Sequence, residues 1–301
     1  MRPINPWLVL VALLASTQAG NLQAACPPAG TTRATLTTLA EAGFALEDAD
    51  ERDALALELV DCLGNPDPRL RDAIAYEAIS TWLRDARLGA ETRTSLLARL
   101  TRELSPTPAD TVGFRASFSA LVLAALVGSD RHKPLLDAAA ISGLVDTTAD
   151  WFESIRDYRG FDARAGWRHA VAHGADLLAQ LAVHPHVSAD GIDRIVDALA
   201  SQVAPASGHF YVYGEPERLA LPLLYIAGHH RYTTEQWRDW FAGIAALPED
   251  GNLFGSRITL ARRHNLQALL LVLYVNASES QDEALRATLR PAVLEALRSL
   301  Q

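Results

Sequence analysis

An all-helical fold is what this chain predicts, and three features carry that prediction. Apolar residues recur at helical spacing almost throughout, no run alternates in the manner of a β-strand, and Gly/Pro-rich breaks interrupt the periodic segments at short intervals. Short joints make consecutive helices antiparallel neighbours. Helix pairs recurring at roughly 40 residues predict a right-handed solenoid of helical hairpins, of HEAT or armadillo type, packed as one compact domain over residues 26–301. No repeated sequence motif accompanies that spacing.

The first residues read as a segment outside this fold. Met1 and Arg2 give a short basic start, Trp7 to Ala15 is apolar, and Ser16 to Ala25 is rich in small residues. That is the pattern of a secretory signal peptide over residues 1–25. Its apolar run is short of the roughly 20 residues a membrane span needs, so the chain is expected in the periplasm or outside the cell. Cys26 follows at once and admits two uses. One is a lipid anchor, although Gln23 stands where a lipoprotein signal carries an aliphatic residue. The other is a disulfide with Cys62, which an oxidising compartment sustains and which stabilises the fold by about 4 kcal/mol in the chain-entropy model.

Within the domain, Leu55, Leu59 and Leu63 fall on one stripe. Gly64-Asn65-Pro66-Asp67-Pro68 then breaks the chain, and Asp67 to Arg84 opens a second helix whose Leu70, Ile74, Ile79, Trp82 and Leu83 form an apolar face. Further helices are predicted at 90–104, 113–127, 133–149, 162–183, 188–204, 215–227, 233–246, 257–276 and 280–299. The joints between them hold Pro106 and Pro108, Gly128-Ser129-Asp130, His184-Pro185, Pro205 with Gly208, Gly228, and Pro248 to Gly251. The helix at 113–127 is apolar nearly all round. Its length and the interruptions at Arg115 and Ser119 fit a buried central helix rather than a membrane one.

Composition narrows the function classes. The chain is 49% hydrophobic and 21% charged, with a formal net charge of -9 and Lys133 as its sole lysine. This balance argues against nucleic acid as a general partner, because neutralising phosphates needs a basic face, while a local arginine pocket is still allowed. GxGxxG, phosphate-loop and GxSxG patterns are absent.

The segments DPRLRDAIAYEAISTWL, GFRASFSALVLA, YRGFDARAGWRHAVAHGADLL, EPERLAL and RHNLQALLLVLY resemble, in the same order, the blocks of the bacterial family called domain of unknown function 2785. The resemblance implies an all-helical, HEAT-like fold and a shared structural set in those blocks. It implies no reaction. The export signal and the two cysteines depart from typical members.

Candidate chemistry concentrates between Tyr158 and Leu178. On a helix over 162–183, His169, His173 and Asp176 would share one stripe, at i, i+4 and i+7. Two histidines four apart can bind zinc or another divalent transition metal, with Asp176 as third ligand or as a carboxylate orienting His173. The same three residues are the candidate catalytic set for a hydrolase or lyase, with a histidine as base and an arginine stabilising negative charge. HxxxHxxD lacks the glutamate of HExxH, and a hydrogen-bonded structural network accounts for such histidines equally well. Ser117 and Ser119 are weaker nucleophile candidates, since serine on a buried helix usually bonds the preceding turn.

Arg115, Arg159 and Trp167 would suit a partly anionic or sugar-like ligand, with forked donors and a flat apolar wall. Pairing of the arginines with Glu77, Asp157 or Glu217 is the alternative. Glu77, Arg218 and Asn265 complete the candidate ligand-binding set, although Glu215 to Arg218 also read as a helix start with favourable acidic residues. The function expected is binding of a small molecule, peptide, glycan or protein partner in a polar groove around Arg159 to Asp176. An enzyme is the first alternative and a purely structural scaffold the second.

Overall fold

The computed structural model describes residues 26–105, 112–245 and 254–300. The signal-peptide segment at 1–25 lies outside these described residues. The described chain is mostly helical: α1 Arg33–Glu41, α2 Ala49–Leu59, α3 Pro68–Leu70, α4 Glu77–Arg84, α5 Ala90–Glu103, α6 Arg115–Asp130, α7 Ala138–Ser154, α8 Ala170–Ala182, α9 Ala189–Val203, α10 Glu215–Gly228, α11 Thr234–Ile244, α12 Arg257–Glu279 and α13 Glu283–Ser299. Side-chain caps start many of them. Asp48, Asp137, Ser188, Thr233, Ser256 and Asp282 each accept a backbone N–H from the first turn, satisfying donors that a helix leaves orphaned.

Packing between elements follows a regular order. α6 lies between α4 and α8, α8 between α6 and α10, and α10 between α8 and α12; α7 packs on α9, and α11 on α13. One contiguous apolar core runs through these contacts. α6 is buried nearly all round, as its composition predicts. Among the described residues no helix is long and apolar enough to cross a membrane.

Cys26 and Cys62 are joined by a disulfide, with Cα atoms 5.1 Å apart and a sequence separation of 36. It ties the N-terminal segment to the end of the first helical hairpin. The same sulfur cannot also carry a lipid thioether, so the anchor reading of Cys26 is set aside.

Three local features depart from the sequence expectation. α1 is an extra helix, too short and too polar in sequence to register as periodic. The helix from Asp67 to Arg84 is not a regular one, because Arg71–Tyr76 forms a wide π turn between α3 and α4. The largest correction falls on the helix expected at 162–183, which begins at Ala170. Residues before it form a two-residue hairpin, β1 Phe161–Asp162 paired antiparallel with β2 Gly166–Trp167. The cause is local: the Asp162 carboxylate accepts the N–H groups of Arg164 (2.9 Å) and Ala165 (2.7 Å), so they do not need a helix. Gly166 takes a φ of +71°, which closes the turn.

A buried ionic knot fixes the scaffold away from the groove. Asp130, at the end of α6, accepts from Arg93 Nη2 (3.0 Å), from the backbone N–H groups of Leu135 (2.8 Å) and Leu136 (3.2 Å), and from His184 Nε2 (3.2 Å). The His186 N–H donates to His184 Nδ1 at 3.2 Å, so His184 carries its proton on Nε2 and gives it to Asp130. This is why α7 starts at Ala138 and not nearer Lys133: the preceding backbone is held by a carboxylate.

Candidate functional site

Tyr76, Leu121 and Arg218 line two adjoining cavities that together make one groove across α4, α6, α8 and α10. The first, of about 690 Å³, is walled by Asp72, Glu77, Phe118, Trp167, His169, His173 and Tyr213. The second, of about 650 Å³, continues past Asp176 to Arg84, Gln180, Arg131 and His132.

The hairpin puts Trp167 in the wall of the first cavity, with Phe161 beside it. Phe161 and Trp167 face each other across the ladder with ring centroids 5.1 Å apart. Trp167 is 38% exposed, yet it is held on three sides. His169 stacks on it at 4.7 Å, and Tyr213 meets it edge-on at 5.8 Å. Gly160 makes the third arrangement possible, because a Cβ there would overlap the Tyr213 ring.

Arg71 anchors the hairpin from below. Its guanidinium is fully buried, lies 3.8 Å from the Phe114 ring centre, and donates to Asn65 O (2.9 Å) and Ala165 O (2.8 Å). It also forms a 2.6 Å ion pair with Asp72, which faces the cavity. Burial lowers the Arg71 pKa and raises that of Asp72, while each charge opposes the shift of the other. The π turn allows Arg71 and Asp72, neighbours in sequence, to serve the core and the groove respectively.

His169 is not on the α8 stripe. It is the N-cap residue, in a left-handed conformation with φ +54°, and its N–H donates to Arg159 O at 3.2 Å. A non-glycine residue in that region is strained and persists because its surroundings fix it. The ring lies 5.9 Å from that of His173, and its Nε2 is 3.7 Å from Glu215 Oε1. Burial lowers the His169 pKa, partly offset by Glu215. Glu215 is 2% exposed, and its other oxygen accepts the Tyr213 N–H at 2.9 Å. A residue expected to cap α10 therefore sets both the tyrosine and the histidine of the groove wall.

His173 is 6% exposed and packs edge-on against Phe118 at 5.1 Å. Ser117 Oγ sits 2.9 Å from His173 Nδ1 and spends its own proton on Arg168 O. The serine oxygen must therefore accept from His173, which fixes the Nδ1–H tautomer and leaves Nε2 as a lone-pair acceptor. Burial, with the charges of His169 and Arg218 adding to it, lowers the His173 pKa to about 3.

Asp176 hydrogen-bonds to an arginine and not to the histidines. Arg218 from α10 grips it with Nε to Oδ1 at 2.6 Å and Nη2 to Oδ2. Burial raises the Asp176 pKa against that grip, and the hydrogen bonds to Asp176, with its charge, raise the pKa of Arg218. Among the described residues, no three His, Cys, Asp or Glu side chains are grouped so as to hold a metal ion.

Of the sequence candidates, Glu77, Trp167, His169, His173 and Arg218 share the first cavity, and Asp176 lies in the second. Three others lie elsewhere. Arg115 lines a separate cavity of about 170 Å³ and lies 3.8 Å from Glu103. Arg159 pairs with Asp157 two residues away. Asn265 is 1% exposed, accepts the Tyr211 N–H at 2.8 Å and donates to His209 O at 2.9 Å, so it holds the loop that leads to Tyr213. Arg71, Asp72, Tyr76 and Tyr213 line or support the groove without having been singled out. The first three stand in the DPRLRDAIAYE block, whose charges interrupt an apolar helix.

Fold and site together define an all-helical protein with an open, aromatic-walled polar groove. Residues 100–275 match the family model described as Protein of unknown function (DUF2785), and the chain belongs to that family. Trp167, His169, His173, Tyr213 and Arg218 fall within the matched stretch, while Asp72 and Glu77 precede it. No curated protein and no solved structure matches the chain.

Proposed function

We propose that this chain is an exported binding protein whose groove takes a polyhydroxylated ring, such as that of a sugar, against Trp167. The observation that carries the reading is the tryptophan itself: a large apolar face, open to solvent and clamped by His169 and Tyr213, beside a cavity edged with carboxylates and a neutral histidine acceptor. Flat apolar walls combined with fixed polar groups are the usual makings of a small-molecule site. Two charge pairs at this end are internally matched, Arg71 with Asp72 and Arg218 with Asp176, which leaves Glu77 as a weakly paired acceptor. That matching favours hydroxyl groups over a bare ion at this end.

The depressed pKa of His173 favours binding over a hydrolase or lyase. A general base works best when its pKa lies near the working pH, whereas an imidazole at about 3 is a weak base and a dependable hydrogen-bond acceptor. The order of helix contacts, α4 to α12 in one row and α7 with α9 in another, supports a HEAT-like solenoid with the groove on the face of the first row. The Cys26–Cys62 disulfide supports export, since oxidising compartments are where such bonds persist.

Calorimetric titration of the purified chain with a series of oligosaccharides tests the reading, with Trp167→Ala alongside. The variant should bind at least about tenfold more weakly, the equivalent of one lost stacking contact. Binding that survives the substitution unchanged, or no binding by any glycan, would sink it.

A further inference from the structure

Electrically, the two halves of the groove are unlike. Around the Trp167 end the cavity lining offers Asp72 and Glu77 against Arg218. At the other end Arg84, Arg131 and Arg218 face a lining whose sole carboxylate among the described residues is Asp176, already held by Arg218. Arg131 has no carboxylate within ion-pair range among the described residues; its Nη1 donates to Gln180 Oε1 at 2.8 Å, which holds the guanidinium at the groove wall. Gln180 in turn lies over Gly128, where a Cβ would stand 3.2 Å from that same oxygen. Arg84 reaches Glu77 only at 4.0 Å, a contact exposed on both sides and so weakly bound.

We infer that the Arg131 end is a second subsite, for a carboxylate borne on the same polyhydroxylated ligand, so that the groove selects acidic oligosaccharides. This rests on the reading of the Trp167 end given above. Phe118 and Ser129 mark the two cavities along α6, and eleven residues of helix set them roughly 16 Å apart. A single ring does not span that distance, whereas a short chain of rings does. A planar guanidinium held by an amide is suited to a planar carboxylate, with two parallel N–H donors available to it.

The test is a glycan array carrying neutral, uronate-bearing and sulfated oligosaccharides of one to six rings, probed with the full chain and with Trp167→Ala and Arg131→Gln. Both positions are solvent-facing, and thermal melting of each variant confirms that it folds. The expected result is capture of uronate-bearing chains of three or more rings, weakened by about tenfold or more in Trp167→Ala. Arg131→Gln should weaken these chains by about tenfold or more, the worth of one charge-assisted hydrogen bond, and leave neutral chains unaffected. Added salt should weaken the acidic ligands selectively. Capture of neutral chains alone, or acidic chains indifferent to Arg131→Gln, overturns the inference while the Trp167 reading stands. Preference for sulfate over carboxylate overturns the choice of anion. An array with no captured chain removes both.

Discussion

Replacing His173 by glutamine should flatten the acid side of the stability profile. His173 is buried against Phe118, with its Nδ1–H committed to Ser117, and the groups facing it that would carry positive charge beside it are Arg218, Arg71 and, when protonated, His169. All three disfavour a second positive charge. The folded-state pKa is therefore depressed, from an ordinary 6.5 to about 3. As pH falls below 6.5 the unfolded chain takes a proton that the folded chain refuses, so stability drops progressively down to about pH 3. Linkage between those two values gives a loss of about 3 kcal/mol from pH 7 to pH 4 attributable to this one side chain. Urea unfolding at pH 7, 5 and 4 measures it. The variant begins less stable at pH 7 through lost packing, but its stability should fall with pH by about 3 kcal/mol less than that of the parent protein. Other titrating groups are common to both proteins and cancel in the difference. Parallel profiles would refute the assigned burial of the imidazole.

Other perturbations probe the scaffold. Asp130→Ala leaves Arg93 buried without its carboxylate, and should cost about 3–5 kcal/mol in denaturant midpoints; a loss under 1 kcal/mol would show the knot to be solvated. Reducing Cys26–Cys62 should cost up to about 4 kcal/mol, read as a drop in unfolding free energy with reductant present. Gly174→Ala places a Cβ against the Phe152 ring, with Trp151 also close. Overpacking of about 1–3 kcal/mol should outweigh the gain of up to about 1 kcal/mol in helix propensity, so the variant should melt lower. A higher melting temperature would show that α7 and α8 separate freely.

The helical class and most element boundaries were legible in the sequence because they depend on short-range rules. Apolar periodicity, a capping Asp or Ser, and a Gly or Pro at each joint are all written within a few residues of the element they define. The stretch from Tyr158 to Leu178 likewise stood out because polar and aromatic residues there interrupt an otherwise apolar pattern, and its Trp167, His169 and His173 line the first cavity. The disulfide was one of two uses open to Cys26, expected from an even cysteine count behind an export signal, and the structure joins Cys26 to Cys62.

Which polar residues meet was decided only by tertiary structure. Periodicity placed His169, His173 and Asp176 on one stripe, but the Asp162 carboxylate captures the N–H groups of Arg164 and Ala165, and this local bond breaks the helix before His169. Asp176 then finds Arg218, forty-two residues further along the chain, and not the histidines. Arg115, Arg159 and Asn265 are drawn to partners outside the groove for the same reason: a buried or half-buried polar group takes the nearest group that satisfies it. A sequence lists the groups that need partners. The packing of α4, α6, α8 and α10 chooses among them, because contacts between residues far apart in the chain depend on how whole helices stack, and that geometry is a property of the assembled core.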